Sequence, residues 1–319
     1  MMTTTVPVTA ENFSRAESDL YFANVVKIGG FGKWDHTREV TPLDQQNVIR
    51  LNRDTLYSAV VIDLDAGPAA VILPDAGDRF VSLQLIDEDQ YTYGVFYEPG
   101  RYELTREKVG TRYVIAAIRT LVNPADAADV AAAHAVQDSI GLELTAPGTF
   151  EIPNWDMESQ NKVRKALLSL AETLGDTSNM YGKRGEVDPV RFLIGAAMGW
   201  GANPPSEALY LNVVPERNDG VTVHELEVGE VPADGFWSVS LYNAEGYYQK
   251  NDLDHYTFNN LTAKKSPDGK IRIRFGGNDD DAGNLLPIMP GWNYMVRLYR
   301  PGKAVLDGSF KFPVAKPLS

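Results

Sequence analysis

The sequence lacks cysteine entirely, and it lacks long apolar runs and an excess of basic charge. Without cysteine, the chain has no disulfide scaffold, thiolate-bound zinc, iron–sulfur cluster or cysteine nucleophile. Its longest apolar stretches, such as residues 59–62 and 113–118, are far shorter than the roughly 20 residues that a membrane helix needs. Lys and Arg total 30 against 43 Asp and Glu, a net charge of −13. Because such a surface repels phosphate backbones and anionic lipids, we expect neither nucleic-acid nor membrane partners.

The composition that remains is typical of a folded globular protein. Hydrophobic residues make up 44% of the 319 residues, which is ample for a core and too many for a disordered chain. The length allows one large or two ordinary domains. The first ten residues show no basic stretch followed by an apolar run of secretory length, so the expected location is cytoplasmic.

Alternating apolar and polar residues indicate many short strands. The alternation is clear at residues 81–85, 270–275 and 293–299, and turn residues such as those at 266–269 separate the strands. Between residues 125 and 200 the spacing becomes helical. We therefore predict a mainly β fold with helical insertions, in which two β-sandwich or jelly-roll-like lobes are joined by helices. The predicted divisions are an N-terminal β-rich domain with an initial helix at residues 1–145, a helical connecting segment at 146–204, and a C-terminal β-sandwich domain at 205–319.

Several well-known chemical motifs are missing. No serine lies in Gly-x-Ser-x-Gly, and no glycine-rich segment has dinucleotide or phosphate-loop spacing, so no nucleotide cofactor is predicted. The four histidines are scattered; His224 lies in a strand-like run at residues 221–228, where it either faces a cleft or bonds to backbone in the core. Asp279 and Asp281 lie in an acidic loop. They are weak candidates for a Ca²⁺ site, and a solvated acidic loop is the favoured alternative.

The densest group of reactive side chains lies at residues 51–58. There Arg53 could clamp an anionic group, Asp54 could act as an acid or base, and Tyr57 could donate a proton. The alternative is that Arg53 and Asp54 make ion pairs and turn bonds that fix the strand register. Asp87 ends a predicted strand beside two further carboxylates. It either takes part in acid–base catalysis or belongs to a solvated acidic loop.

Aromatic residues are frequent in the C-terminal half. Those on one face of each strand must pack the core, and those on the other face could stack against a sugar ring or an aromatic ligand. Trp292 and Tyr248 are the candidates for ligand stacking, and Arg297 would supply charge beside them. For both rings the choice between core and pocket stays open.

Several motifs of the chain resemble a known pair of bacterial domains. Four segments resemble the domain of unknown function numbered 1254: NRDTLYS at 52–58, DLDAGP at 63–68, LPD at 73–75 and RTLVNP at 119–124. Seven further segments resemble its usual partner domain, numbered 1214: WG at 200–201, ALY at 208–210, GFWS at 235–238, NNLT at 259–262, PIMPGWNYMVRLYRP at 287–301, LDG at 306–308 and FP at 312–313. The resemblance implies two β-rich domains in tandem, and it carries no agreed activity or catalytic residues.

One departure from this family pattern concerns location. Many relatives resemble secreted proteins, with a leader and a segment holding two cysteines. Here Asn278 and Leu285 stand where those two cysteines would be. This departure favours the cytoplasmic location expected above.

Three functions remain as hypotheses from the sequence. The first is an enzyme of hydrolase or lyase type that acts on a small organic or carbohydrate-like molecule in a cleft between the β lobes. The second is a non-catalytic module that binds a carbohydrate or another small molecule. The third is an oligomeric structural protein whose aromatic β faces form homo-oligomer interfaces.

Overall fold

The computed structural model describes residues 5–46, 49–277 and 283–318. The chain forms two compact units. The first unit contains residues 1–38, 56–121 and 127–205, and the second contains 39–55, 122–126 and 206–319. The second unit thus includes two segments from the N-terminal half that the sequence prediction placed in the first domain. Asp279 and Asp281, the predicted Ca²⁺ candidates, lie outside the described residues.

The structure contains six described α-helices, and capping residues explain where the fifth of them begins. They are α1 (Phe13–Lys27), α2 (Arg106–Val109), α3 (Ala127–Asp138), α4 (Met157–Ala171), α5 (Pro189–Gly199) and α6 (Lys303–Leu306). Asp188 caps α5, because its carboxylate accepts the backbone N–H groups of Val190 and Arg191. Proline at the first helical position, Pro189, needs no N–H partner there. In the part of the chain that the structure describes, no helix is long and apolar enough to cross a membrane.

The first unit contains two β-sheets. Its strands are β1 (Asp35–His36), β2 (Thr55–Asp63), β3 (Ala69–Leu73), β4 (Val81–Asp87), β5 (Thr92–Phe96), β6 (Gly100–Leu104), β7 (Tyr113–Leu121) and β8 (Gly141–Leu144). They form a five-stranded sheet in the order β1-β2-β7-β4-β5 and a three-stranded antiparallel sheet in the order β6-β3-β8. Apolar side chains of both sheets, such as Leu83 and Val71, share one buried core.

The second unit contains two four-stranded sheets. Its strands are β9 (Ala208–Val213), β10 (His224–Val228), β11 (Trp237–Tyr242), β12 (Thr257–Asn259), β13 (Ile271–Phe275), β14 (Leu285–Leu286), β15 (Asn293–Tyr299) and β16 (Lys316–Pro317). The sheet orders are β14-β13-β10-β16 and β12-β11-β15-β9. Leu226 and Ile273 of one sheet and Val239 and Val296 of the other belong to a single apolar core. The predicted mainly β fold with helical insertions is therefore confirmed.

The central strands of the sheet β12-β11-β15-β9 are buried on both faces, and the two faces differ in polarity. In β11 and β15 every residue is buried, and alternate side chains point to opposite faces. Trp237, Val239 and Leu241 enter the apolar core. The opposite face, which we call the polar face, carries Ser238, Ser240 and Tyr242 of β11, Thr257 and Asn259 of β12, and Arg297 of β15. Buried polar groups need partners, so this face is where a site is expected.

Candidate functional site

A pocket of about 450 Å³ lies beside β12 and is built entirely from the second unit. Its walls come from residues 53–54, 122–125, 253–259, 262, 264, 283 and 285. Thr257 and Asn259 of the polar face belong to this wall. The volume suits a small organic molecule.

Asp54 is the most constrained group in the pocket wall. Its side chain is buried, with the residue 1% exposed. Oδ1 accepts hydrogen bonds from the Thr257 hydroxyl at 3.2 Å and from Asn259 Nδ2 at 3.4 Å. The backbone is also fixed, because its N–H donates to Asn52 Oδ1 at 2.9 Å and its carbonyl accepts from the Val122 N–H at 3.0 Å. One carboxylate oxygen is therefore committed within the protein.

The other carboxylate oxygen of Asp54, Oδ2, differs from Oδ1 in its hydrogen bonding. Oδ2 is buried and has no hydrogen-bond partner among the residues that the structure describes. A buried acceptor left in this state costs about 1–3 kcal/mol. Asp54 lines the pocket, and a ligand hydroxyl that reached Oδ2 would recover that cost.

Arg53 is held against the neighbouring aromatic rings. Its guanidinium carbon lies 5.9 Å from the ring centroid of Tyr248 and 5.5 Å from that of Tyr256, within the range of cation–π attraction. It also donates a hydrogen bond to the backbone carbonyl of Thr41. The cation is thus fixed in the pocket wall beside Asp54.

His255 contributes a defined tautomer to the wall. Its Nδ1 lies 3.0 Å from the carbonyl oxygen of Leu285, and a carbonyl can only accept, so Nδ1 carries a proton. In the neutral ring, Nε2 is then a hydrogen-bond acceptor. The ring packs edge-on against Phe258 at 5.3 Å. His255 can therefore serve a ligand as a second acceptor.

The ionic side chains of the wall nearly balance. Arg53 and Lys264 are cationic, whereas Asp54 and Asp254 are anionic. Asp254 also accepts a hydrogen bond from the Tyr256 hydroxyl at 3.0 Å. Apolar and aromatic side chains complete the wall. The balance of charge favours a ligand without net charge.

Arg297 and Tyr248 were predicted as ligand-binding residues, and the structure places both behind the pocket wall. Arg297 is 2% exposed and does not line the pocket. Tyr248 is buried, and its backbone exchanges hydrogen bonds with the side-chain amide of Gln46. Burial raises the pKa of its phenol well above the usual value, so the hydroxyl keeps its proton.

Trp292 and His224 lie in the core of the second unit. Trp292 is fully buried and stacks on Phe275 at 4.9 Å. His224 donates from Nδ1 to the carbonyl of Thr222 at 2.9 Å, and its ring lies 5.2 Å from that of Trp292. Neither residue lines the pocket. Because alternation alone does not say which sheet face meets the second sheet, the sequence could not separate core rings from pocket rings.

Tyr57 and Asp87, two predicted catalytic residues, belong to the first unit and do not line the pocket. The guanidinium of Arg119 lies 5.5 Å from the Tyr57 ring centroid. Asp87 fixes the turn after β4, since its Oδ1 accepts the N–H groups of Asp89 and Tyr91, both at 2.9 Å. Its burial raises its pKa to about 6.

A second buried carboxylate of the first unit lies on α1. Asp19 is 0% exposed, and its Oδ2 accepts a hydrogen bond from Trp155 Nε1 at 2.7 Å. Its Oδ1 has no partner among the described residues. Burial, supported by the negative charge of Glu88, raises the pKa of Asp19 to about 7. Asp19 lies outside the pocket beside β12.

Sequence reasoning did not single out Thr257, Asn259 or His255. Their signal is the short run at residues 257–259, in which polar side chains flank a buried phenylalanine. Across residues 5–46, 49–277 and 283–318, no group of three or more His, Cys, Asp or Glu is arranged to hold a metal ion.

The fold and pocket define a mainly β protein of two compact units, and family comparison agrees with this class. Residues 31–143 match the model of the protein of unknown function DUF1254, and residues 214–303 match that of the protein of unknown function DUF1214. The chain is therefore a tandem DUF1254–DUF1214 protein, in that order, and the resemblance predicted from its motifs is confirmed. The pocket residues Arg53, Asp54 and 122–125 lie in the first match, and 253–259 lie in the second.

Solved structures share this fold. The VPA0106 protein from Vibrio parahaemolyticus is similar with a TM-score of 0.75 and 18% identity, over 97% of this chain and 98% of that one. A putative uncharacterized protein from Burkholderia cenocepacia is similar with a TM-score of 0.52 and 12% identity, over 97% and 89%. At these identities the likeness concerns the fold alone. No curated protein matches the chain significantly.

Proposed function

We propose that the protein binds a small, neutral, hydroxylated organic molecule, of the carbohydrate or polyol class, in the pocket of the second unit. The observation that carries this proposal is the buried Oδ2 of Asp54, which has no partner among the described residues. A ligand hydroxyl donates to Oδ2 and supplies the missing hydrogen bond. Carboxylate hydrogen bonds of this kind are stronger than bonds between neutral groups.

The rest of the wall supports a hydroxylated ligand over a charged one. Sugars and polyols present both donors and acceptors, and the wall contains the carboxylate of Asp54, the imidazole of His255 and the cation of Arg53. Among the described residues of the wall, the cations Arg53 and Lys264 equal the carboxylates Asp54 and Asp254 in number, which favours a ligand without net charge. Apolar residues such as Leu253 and Phe258 suit the C–H faces of such a molecule.

Isothermal titration calorimetry with glucose, galactose, mannose, ribose, myo-inositol and glycerol tests the proposal. We expect at least one of these compounds to bind, and Asp54→Asn to weaken its affinity at least about tenfold, since the amide no longer offers a charged acceptor. The matched control is Asp252→Asn, the same substitution at an exposed position outside the pocket wall, which should leave affinity unchanged. The proposal fails if none of these compounds binds, or if Asp54→Asn binds as tightly as the natural chain.

A second candidate is an enzyme of hydrolase or lyase type that uses the same carboxylate. It is favoured by one specific feature, a carboxylate with one oxygen anchored and one oxygen unpartnered, in a wall that also holds the acceptor nitrogen of His255. Such a carboxylate can act as a general base or a nucleophile. Release of nitrophenol from p-nitrophenyl glycosides and esters, abolished in Asp54→Asn and in His255→Gln, would favour the enzyme. Sugar binding without turnover favours the binding module.

A further inference from the structure

A line of hydrogen bonds connects a buried cation to the pocket carboxylate. Arg297 Nη1 donates to Ser240 Oγ at 2.8 Å, Ser240 Oγ lies 3.0 Å from Thr257 Oγ1, and Thr257 donates to Asp54 Oδ1 at 3.2 Å. The four residues come from β15, β11, β12 and the segment before β2, and Ser240 faces Thr257 directly in the strand register. We call this line the polar relay.

The position of every proton in the polar relay follows from donor and acceptor chemistry. A guanidinium only donates and a carboxylate only accepts. Thr257 must therefore spend its single hydroxyl proton on Asp54, so it must accept from Ser240. Ser240 then donates to Thr257 and accepts from Arg297. All dipoles in the relay point the same way, toward the carboxylate.

Arg297 also holds the segment that leads to Asp54. Its Nη2 donates to the carbonyl oxygens of Arg50 at 2.6 Å and Leu51 at 3.2 Å, and to the Tyr242 hydroxyl at 2.8 Å. Within the described residues it forms no ion pair with a carboxylate at direct contact. A buried cation is normally paired with a negative charge. The negative charge that the hydrogen bonds of Arg297 lead to is the carboxylate of Asp54, at the end of the relay.

We infer that Arg297, Ser240 and Thr257 are positioning residues for the pocket. They commit Oδ1 of Asp54 to the protein, fix the rotation of its carboxylate, and leave Oδ2 as the acceptor for a ligand. The other charged or titratable groups of the wall, Arg53, Asp254, His255 and Lys264, make no bond in the relay. The effect on ligand binding rests on the proposed function, whereas the geometry of the relay does not.

The relay is tested first without a ligand. In protein labelled with ¹³C at the aspartate carboxyl carbons, the Asp54 signal is assigned by its loss in Asp54→Asn. We expect Thr257→Val to move this signal, Ser240→Ala to move it in the same direction by less, and Thr257→Ser to restore it. Ser238→Ala is the matched control, since Ser238 lies two residues away on the same face of β11 and its Oγ has no partner among the described residues.

An Asp54 signal that does not move in Ser240→Ala, or that moves equally in Ser238→Ala, overturns the relay. A calorimetric titration with the tightest-binding sugar then tests whether the relay contributes to ligand affinity. Ser240→Ala should weaken binding about fivefold, the equivalent of one hydrogen bond, although Ser240 does not line the pocket, and Ser238→Ala should leave affinity unchanged. Equal affinity in Ser240→Ala and the natural chain would contradict a positioning role. Should no sugar bind the natural chain, the proposed function fails, and the carboxyl signals still decide the relay.

Discussion

The raised pKa of Asp19 predicts that the first unit loses stability as the pH rises. The unfolded chain releases this proton near the ordinary aspartate pKa of 3.8, whereas the folded protein holds it up to about pH 7. Between these values the folded state binds more protons than the unfolded state, so the free energy of unfolding falls with increasing pH. The contribution is complete below pH 4 and is lost as the pH passes through 7.

The magnitude follows from the size of the shift. A pKa raised by about three units corresponds to about 4 kcal/mol over the whole range. Most of it, about 3 kcal/mol, is lost between pH 5 and pH 9, where few other carboxylates titrate. Asp87, with a pKa of about 6, changes stability in the same direction.

Urea unfolding of the natural chain and of Asp19→Asn at pH 5, 7 and 9 measures the effect. The amide mimics the protonated carboxyl, because it still accepts the Trp155 bond and offers a donor at the other atom. We expect Asp19→Asn to lose about 3 kcal/mol less than the natural chain between pH 5 and pH 9. Asp78→Asn, the same change at an exposed position of the first unit, is the control. If the natural chain and Asp19→Asn show equal pH dependence, the reasoning is refuted.

Four further substitutions test individual contacts of the fold. Arg297→Met should destabilise the protein by about 3–5 kcal/mol in urea unfolding, because the Arg50 carbonyl and the buried hydroxyls of Ser240 and Tyr242 lose the donor that Arg297 supplies; a loss below 1 kcal/mol would contradict the assigned bonds. Trp292→Phe should cost under about 2 kcal/mol, since the indole N–H has no partner among the described residues, whereas Trp292→Ala should cost about 3–5 kcal/mol. Asp188→Ala should lower stability by about 1 kcal/mol through loss of the α5 cap, and unchanged stability in calorimetric melting would argue against that cap.

Local patterns predicted the elements and their faces. The alternation in residues 293–299 assigned Tyr294, Val296 and Leu298 to one face, and these side chains do enter the apolar core. Asp188 followed by Pro189 is likewise a local pattern typical of a helix start, and α5 begins there. These features depend on neighbours in the chain, so one sequence is enough to find them.

The site depends on contacts between residues far apart in the chain, which local patterns do not reveal. Asp54 and Thr257 are separated by 203 residues and meet because residues 39–55 join the second unit. The sequence identified Arg53 and Asp54 as reactive, but their partners on β12 became apparent only with the strand register. For Trp292 the sequence left both a core position and a pocket position possible, because its burial depends on which face of its sheet packs against the other sheet.

The most direct test of the central claim is a crystal structure of the protein soaked with the tightest-binding sugar or polyol of the calorimetric panel. We expect the ligand to occupy the pocket of the second unit with a hydroxyl oxygen within about 3.2 Å of Asp54 Oδ2, while Thr257 keeps its bond to Oδ1. A ligand bound elsewhere, or one in the pocket whose hydroxyls leave Oδ2 without a partner, would contradict it.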